Sequence, residues 1–331
     1  NKLLYNKIIY MITYILFGTG IILLIKGADY LVDGSSSLAK KFKVPTIVIG
    51  LTIVAFGTSM PELVVNIASA IRNSGDIAFG NIVGSNIVNI LLILGISGII
   101  GSLKVQSSTV WKEIPFSLLA VIVLVVFANA HVLDKLNFNS ILKFEGIVLV
   151  LFFIIFLYYV FGLARKNKLK LDDKKIEIKK YSGGIIFLMI IGGLIALYFG
   201  GKWTVDGAIL IARAFGLSEY FIGLTIVAVG TSLPELVTSI VAAIKKQNDL
   251  AVGNIVGSNI FNIFWILGLT AIINPIVIPV SANIDLLVLL VATVLLFVFM
   301  FLGKRHELDR WQGIMFVIMY VVYVVYLTGR G

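Results

Sequence analysis

Residues 49–95 read IGLTIVAFGTSMPELVVNIASAIRNSGDIAFGNIVGSNIVNILLILG, and residues 222–268 read IGLTIVAVGTSLPELVTSIVAAIKKQNDLAVGNIVGSNIFNIFWILG. Aligned without a gap, so that position 49 pairs with position 222, the two stretches are identical at 32 of 47 positions. The match extends upstream in the same alignment, where the sequence Val-Asp-Gly at 32–34 recurs at 205–207. Such internal symmetry indicates a duplication, so the fold must be explained as two related halves.

The composition is that of a protein embedded in a lipid bilayer. Of its 331 residues, 59% are hydrophobic and only 13% are charged, and the mean hydropathy is +1.05. Soluble domains carry about a quarter charged residues. Apolar runs such as 114–130 and 286–302 recur along the chain, and their length suits a hydrocarbon core about 30 Å thick. We therefore predict an all-α integral membrane protein.

Each half divides into five predicted spans. In the first half, residues 1–164, the spans lie at 8–39, 46–71, 77–100, 112–130 and 143–164. In the second half, residues 183–331, they lie at 183–214, 220–244, 250–273, 284–302 and 311–328. Because five is odd, the second half enters the membrane from the opposite side. The prediction is ten transmembrane helices in two inverted five-helix repeats, joined by a basic linker at 165–182.

The basic residues set the predicted orientation, because Lys and Arg concentrate in cytoplasmic loops. One set of loops holds Lys40, Lys41, Lys43, Lys104, eight basic residues at 165–180, Lys245, Lys246, Lys304 and Arg305. The opposite set holds mainly Lys2, Lys7, Arg72, Lys135, Arg213 and Arg330. We therefore expect a multi-pass plasma-membrane protein with a cytoplasmic linker and both termini outside. The first apolar run is expected to stay as the first span, and the net charge of +10 reflects these loops rather than nucleic-acid binding.

A Gly-Thr-Ser-x-Pro-Glu-Leu motif interrupts an apolar span at residues 57–63 and again at 230–236. Proline removes a backbone donor and disturbs the preceding turn, so carbonyls there lose their helical partners. In a bilayer something else must satisfy them, and a cation can. The motif also places Glu62 and Glu235 in the membrane without an obvious basic partner. Two such carboxylates repel each other, and a divalent cation removes that conflict.

A second motif, Gly-Asn-Ile-Val-Gly-Ser-Asn-Ile-x-Asn, occurs at residues 80–89 and 253–262. Its serine and last asparagine lie four residues apart and share a helix face, as Ser85 and Asn89 or as Ser258 and Asn262. Together with the Thr and Ser hydroxyls of the first motif, they supply neutral oxygens. Oxygen ligands without sulfur or imidazole suit hard cations such as Ca²⁺ and Na⁺. The chain has no cysteine, which excludes thiolate sites and disulfides.

Other readings of these residues remain open at this point. A single Thr-Ser-x-Pro-Glu can be an ordinary helix start with an acid in its first turn. Asp33 and Asp206 recur in both halves, and helix capping or packing is the favoured reading of both. His131 and His306 lie at unmatched positions, so neither indicates a metal ligand or a proton relay.

The two motifs resemble the α-repeats of the calcium/cation antiporter superfamily, especially its sodium/calcium exchanger branch. The resemblance implies ten spans, with Pro- and Gly-broken helices at the centre, and no cofactor beyond the transported ions. It implies that Glu62 and Glu235 bind both ions and that the first helices of each half, residues 1–43 and 183–217, slide to alternate access. The short linker resembles prokaryotic members without a regulatory domain.

The resemblance also implies a ligand set. The residues implied as ligands of Ca²⁺ are Glu62, Glu235, Thr58 and Thr231, and those implied for Na⁺ are Ser85, Ser258, Ala55 and Ala228. Ser59, Ser232, Asn89 and Asn262 are expected to complete the cation site. Some relatives, including potassium-dependent ones, carry Asp where this chain has Asn262, so potassium co-transport is not expected here.

The predicted function is secondary active exchange of Ca²⁺ for Na⁺ by alternating access at one mid-membrane site, in lipid and without an obligatory protein partner. An antiporter of protons and Ca²⁺, or of another divalent cation, would use the same glutamates. A cation channel would not require two inverted halves around one site. A hydrolytic enzyme built on Ser59 or Ser232 lacks a nearby base, so we predict a transporter and no enzyme.

Overall fold

The computed structural model of the protein describes residues 2–130, 139–166, 181–216, 228–279 and 282–330. Most of the predicted linker lies outside the described residues, and so does the start of the span predicted at 220–244. His131 and Lys135 lie outside them as well.

The first half is helical almost throughout. Its α-helices are α1 (Lys2–Phe42), α2 (Thr46–Ile49), α3 (Ala55–Thr58), α4 (Met60–Ile71), α5 (Gly75–Ile87), α6 (Gly95–Ile100), α7 (Ile114–Ala128) and α8 (Lys143–Lys166). The wider π-helical segments between them are Gly50–Val54, Val88–Leu94 and Thr109–Glu113. Helices α3 and α4 meet at an angle, since Thr46–Thr58 and Met60–Ile71 are bent by 47° at the predicted Pro break.

The second half follows a similar order where it is described, although the counterpart of Thr109–Glu113 is part of an α-helix. Its α-helices are α9 (Gly183–Ala214), α10 (Ala228–Thr231), α11 (Leu233–Ile244), α12 (Asn248–Ile260), α13 (Gly268–Ile273), α14 (Ala282–Phe299) and α15 (Arg310–Arg330). A π-helical segment, Phe261–Leu267, follows α12. In the alignment of the two halves it coincides with Val88–Leu94, so the duplication extends to a feature that the hydrophobic pattern does not show.

Within the described residues, eight helices are long and apolar enough to cross a bilayer. A ninth is added if the bent pair Thr46–Thr58 and Met60–Ile71 counts as one span. The remaining candidate, Leu233–Ile244, is a shorter apolar helix whose preceding residues lie outside the described part. The ten spans and their inverted arrangement therefore stay a prediction.

Four two-residue strands join loops between the helices and are the exception to the predicted all-helical fold. They are β1 (Leu103–Lys104), β2 (Ser140–Ile141), β3 (Ile276–Val277) and β4 (Glu307–Leu308). Strand β1 pairs antiparallel with β4, and β2 pairs antiparallel with β3. Each pair ties a loop of one half to a loop of the other.

The helices that carry the second motif form the centre of the molecule. In the spans Gly75–Ile100 and Asn248–Ile273, 78% and 83% of an apolar 18-residue stretch is buried inside the protein. For the long helices Met11–Phe42 and Gly183–Ala214 the buried shares are 22% and 28%. The apolar surface of the long helices therefore faces outward, and the core surrounds the duplicated segments.

Helices α1 and α9 pack closely against each other. A Cβ added to Gly27 would lie 2.9 Å from the Gly193 carbonyl oxygen, and one added to Gly193 would lie 2.8 Å from the Gly27 carbonyl oxygen. Only glycine permits this approach of the two backbones. Gly34 contacts Ile190, while Gly207 contacts Phe17, so the two helices run antiparallel.

Candidate cation site

Glu62 and Glu235 lie in the first turns of α4 and α11, directly after the prolines of the first motif. Each is only 1% exposed. The N-terminal end of a helix carries partial positive charge from its free N–H groups, which stabilises a nearby carboxylate. The broken helices therefore place both acids in the interior of the protein at positions that favour negative charge.

Serines from both halves surround each glutamate. Ser59 Oγ lies 2.8 Å from Glu235 Oε1, and Ser232 Oγ lies 3.2 Å from Glu62 Oε1. These two hydroxyls donate across the duplication, from one half to the acid of the other. Within each half, Ser258 donates to Glu235 Oε1 at 3.3 Å and Ser85 donates to Glu62 Oε1 at 3.5 Å. A further contact of 3.0 Å joins Ser59 Oγ to Ser258 Oγ. The hydrogen bonds thus form two matched groups, one around each glutamate, and each group contains residues of both halves.

Four oxygens of the predicted ligands are buried without a hydrogen-bond partner among the described residues. They are Glu62 Oε2, Glu235 Oε2, Asn89 Oδ1 and Asn262 Oδ1. Buried polar atoms are normally paired, because an unpaired one loses its hydration without compensation. A cation bound at any of these oxygens would give it a partner, since each oxygen can contribute a lone pair.

Hydrogen bonds from their side-chain nitrogens orient the amide groups of Asn89 and Asn262. Asn89 Nδ2 donates to Asn259 Oδ1 at 2.9 Å, and Asn262 Nδ2 donates to Asn86 Oδ1 at 3.4 Å. Both contacts join one half to the other. Because the nitrogens are engaged, the oxygens of Asn89 and Asn262 remain available. These two asparagines also lie in the matched π-helical segments, a local widening often found at functional sites.

Thr58 and Thr231 are held by asparagines that the sequence analysis did not single out. Asn254 Oδ1 accepts from Thr58 Oγ1 at 3.1 Å, and Asn81 Oδ1 accepts from Thr231 Oγ1 at 3.4 Å. Asn254 also donates to Ser239 Oγ at 3.0 Å. The available signal was the second position of the Gly-Asn-Ile-Val-Gly motif, which is Asn in both copies.

The backbone at the two breaks differs slightly between the halves. The Ala55 carbonyl accepts from the Ser59 N–H at 3.0 Å, whereas the Ser232 N–H donates to the Val229 carbonyl at 3.1 Å. Thr58 Oγ1 also donates to the Ala55 oxygen at 3.4 Å, and this hydroxyl would turn fully to Asn254 Oδ1 if a cation took its place. Ala55 and Ala228 therefore remain predicted ligands.

The described residues offer this cluster no basic side chain, because no Lys or Arg is among their buried polar groups. They also contain no group of three or more His, Cys, Asp or Glu side chains placed to hold a metal. The candidate site therefore consists of two carboxylates with neutral hydroxyl and amide oxygens. A further buried acid, Glu113, accepts a hydrogen bond from Tyr159 and does not share the hydrogen bonds around Glu62 and Glu235.

Comparison with known proteins assigns the chain to a class. The family model described as "Sodium/calcium exchanger protein" matches residues 12–162 and 185–329. The two matched regions cover most of the chain, including both copies of each motif. The protein therefore belongs to the sodium/calcium exchanger family of membrane antiporters, and the resemblance predicted from the motifs is confirmed.

Full-length relatives support this assignment. The inner membrane protein YrbG of Escherichia coli is 34% identical over 315 residues, covering 93% of this chain and 94% of YrbG. The sodium/calcium exchanger MaX1 of Methanosarcina acetivorans is 32% identical over 350 residues, covering 96% of this chain and 98% of MaX1. The prediction of a multi-pass membrane protein is therefore confirmed.

A solved exchanger has the same fold. The structure of the sodium-calcium exchanger NCX_Mj soaked with zero Na⁺ and Ca²⁺ matches with a TM-score of 0.80 and 33% sequence identity. The match covers 96% of this chain and 99% of the NCX_Mj chain. MaX1 and NCX_Mj are named as exchangers, and each is covered almost completely by this chain, so neither adds a regulatory domain to the shared core.

Proposed function

We propose that the protein exchanges Ca²⁺ for Na⁺ across the membrane, and that Glu62 and Glu235 bind both ions in turn. The observation that carries this proposal is the pair of buried carboxylates. In each, serines donate to one oxygen, and the other oxygen has no partner among the described residues. The name of the relative MaX1 and the NCX_Mj fold support sodium as the second ion.

The chemistry of the cluster explains why the two ions would compete. Two carboxylates carry two negative charges, which one Ca²⁺ neutralises, and several Na⁺ ions can do the same at neighbouring oxygens. Both ions are hard cations that prefer carboxylate, hydroxyl and carbonyl oxygens. Because they use the same ligands, binding of one ion excludes full occupancy by the other, and the exchange is coupled without a covalent step.

The two routes to the site differ, which supports alternating access. A cavity of about 220 Å³ lies between α4, α9 and the break at α10 and α11, and Val65, Gly201 and Thr231 are among its lining residues. The cavity reaches Thr231, a predicted ligand. On the matched route, Thr58 is 1% exposed, and Ala28 and Thr238, the counterparts of Gly201 and Val65, are 0% exposed. Thr231 therefore borders a cavity, whereas its counterpart Thr58 is buried.

We extend the proposal to the layout of the chain. Residues 1–164 and 183–331 would be inverted repeats with motif regions 49–95 and 222–268, and the linker at 165–182 would be cytoplasmic. The positive-inside pattern then assigns the cavity at Thr231 to the outer face. Serines that donate across the duplication support a site built at the interface of the two halves.

The test is calcium uptake by purified protein in liposomes. Vesicles loaded with sodium are diluted into sodium-free buffer containing radioactive Ca²⁺, with and without potassium. We expect uptake driven by the sodium gradient and independent of potassium. Glu62→Gln and Glu235→Gln should each reduce uptake at least about 100-fold, because an amide cannot replace the buried charge.

A matched control uses the same chemical change at an exposed acid. Asp76→Asn at the start of α5 should keep uptake near the level of the unaltered protein. Full uptake by Glu235→Gln would contradict the proposed site. Uptake driven only by an imposed pH gradient would keep the site and replace sodium with protons, whereas currents far above carrier turnover would indicate a channel.

A further inference from the structure

Lys245 connects the core to α1 through two carboxylates. The residue directly follows α11, and its Nζ lies 2.6 Å from Asp29 Oδ1 and 2.5 Å from Asp33 Oδ1. The Lys245 side chain is 27% exposed, with Asp33 at 27% and Asp29 at 42%. Asp33 is thus an ion-pair partner between two helices rather than a helix cap.

The triad is more than a loose surface contact. Partial burial lowers the pKa of Lys245, but the hydrogen bonds and charges of Asp29 and Asp33 outweigh burial and raise the pKa above its ordinary value. Lys245 Nζ also donates to the Asp29 backbone carbonyl at 3.3 Å. Two acceptors and partial burial make this contact stronger than a single exposed ion pair.

The duplication identifies the matching residues of the other half. In the alignment that pairs position 49 with position 222, Lys245 corresponds to Arg72, Asp33 to Asp206, and Asp29 to Lys202. Asp206 instead contacts Lys202 of its own helix at 3.4 Å, with both side chains more than half exposed. Within the described part of the chain Arg72 is exposed and forms no ion pair.

The two sets lie at opposite ends of the helix pair α1 and α9. Gly207 contacts Phe17, so its neighbour Asp206 lies near the level of Phe17, far along α1 from Asp33. At a rise of about 1.5 Å per residue, the stretch of α1 from Phe17 to Asp33 corresponds to roughly 24 Å. We call the end of the helix pair that carries Lys245, Asp29 and Asp33 the Lys245 end. The opposite end, which carries Lys202, Asp206 and Arg72, is the Lys202 end.

The helices are packed more tightly at the end where the ion pairs between helices are formed. At the Lys245 end, α1 closes on α11, and Ala28, Val32 and Thr238 are fully buried. At the Lys202 end, the cavity separates α9 from α4, and Lys202 and Asp206 are among its lining residues. The ion triad is formed where the route to the site is sealed, and its counterpart is not formed where the route is accessible.

We propose that Lys245 with Asp29 and Asp33 is a latch that keeps the Lys245 end closed, and that Arg72 and Asp206 form the opposing latch when the site opens the other way. The proposal rests on the alternating access proposed above. Because Lys202 replaces the second acid, it repels Arg72 and weakens the opposing latch. The conformation with the Lys202 end accessible is therefore favoured in the absence of ions.

The natural absence of cysteine allows a conformational test that does not depend on the coupling ion. Val65→Cys places one thiol in the cavity, and its reaction rate with a water-soluble maleimide reports how accessible the Lys202 end is. The additional change Lys202→Asp places two acids, at positions 202 and 206, opposite Arg72, as Asp29 and Asp33 lie opposite Lys245. We expect the labelling rate to fall about fivefold or more, a range common for coupling between conformational states.

The assignment to Arg72 is tested by a further change. Lys202→Asp combined with Arg72→Ala should restore the labelling rate of the Val65→Cys parent, because the new acid then lacks its partner. Lys245→Ala, which breaks the existing latch, should slow labelling in the same direction as Lys202→Asp. The control Lys104→Ala removes an exposed lysine outside the triad and should leave the rate unchanged. Unchanged labelling in both Lys202→Asp and Lys245→Ala would overturn the latch.

Cross-linking links the latch to transport. With Asp33→Cys and Lys245→Cys together, a short bifunctional thiol reagent should abolish calcium uptake, and a reductant that cleaves it should restore uptake. Full uptake in the cross-linked protein would show a static contact and overturn the proposal. Absence of uptake in the unaltered protein under any gradient would instead contradict the proposed function, while the labelling rates still decide the latch.

Discussion

Glu62 and Glu235 have matching partners, since each accepts hydrogen bonds from one serine of its own half and one of the other. Asp33 and Asp206 are matched by the same duplication, yet one binds Lys245 across two helices and the other contacts Lys202 within its own helix. The centre of the molecule is therefore nearly symmetric, whereas its two ends are not. In the proposed mechanism, a symmetric site binds an ion equally from either side, and the unequal ends determine which side is open.

The largest expected effect concerns which end faces the outside. In cells producing single-cysteine variants, Asp76→Cys should react with a membrane-impermeant maleimide and Arg305→Cys should not. The reason is that Asp76 follows a loop poor in basic residues, while Arg305 lies in a loop of the Lys-rich set. Labelling of both after the membrane is permeabilised is the control. The reverse pattern would place the accessible cavity on the cytoplasmic side.

The symmetry of the centre is tested by its serines. Ser59→Ala and Ser232→Ala each remove a hydroxyl that donates to the glutamate of the other half. A hydrogen bond to a charged group contributes about 1.5–3 kcal/mol, so we expect calcium uptake to fall about 10- to 100-fold in each variant. Uptake that depends strongly on one serine and not on the other would break the symmetry of the site.

The helix pair α1 and α9 should tolerate little change at its contact. A methyl group at Gly27 would meet the Gly193 carbonyl, so we expect Gly27→Ala to lower stability by about 1–3 kcal/mol, the usual cost of overpacking. Gly18→Ala is the control, because nothing lies within 4 Å of its added Cβ. Thermal unfolding in detergent measures both. Equal melting temperatures would mean that the pair is loosely packed.

The smallest expected effect is a difference between the two asparagines that accept hydrogen bonds from Thr58 and Thr231. Asn254 is 0% exposed and contacts Thr58, Ser239 and the Glu235 carbonyl. Asn81 contacts Thr231 at 3.4 Å, and its Nδ2 has no partner in the described part of the chain. We expect Asn254→Ala to cost about 1–3 kcal/mol in stability and Asn81→Ala less than about 1 kcal/mol, as measured by thermal unfolding in detergent. Equal losses of stability in the two variants would show that the different packing of the two routes does not affect the residues around Thr58 and Thr231.

Much of the buried group of glutamates, serines and asparagines that forms the candidate site could be predicted, because these residues are unusual in an apolar span. A carboxylate beside a proline in an apolar span is costly and stands out, and repetition of the motif in the second half strengthens the signal. Asn81 and Asn254 were missed because amides are common helix-packing groups in membranes, and nothing local distinguishes one that orients a ligand. The π-helical segments were missed because the hydrophobic pattern of a buried helix does not report its width.

The sequence by itself determined the membrane class, the duplication, and the acids and oxygens available to bind a cation. These properties depend on composition and on spacing within one turn or one span. Only the tertiary structure decided that Ser59 donates a hydrogen bond to Glu235, that Lys245 binds Asp29 and Asp33, and that the Lys202 end is accessible. Those contacts join residues far apart in the chain. They depend on how whole helices pack, and identical motifs therefore acquire different surroundings at the two ends.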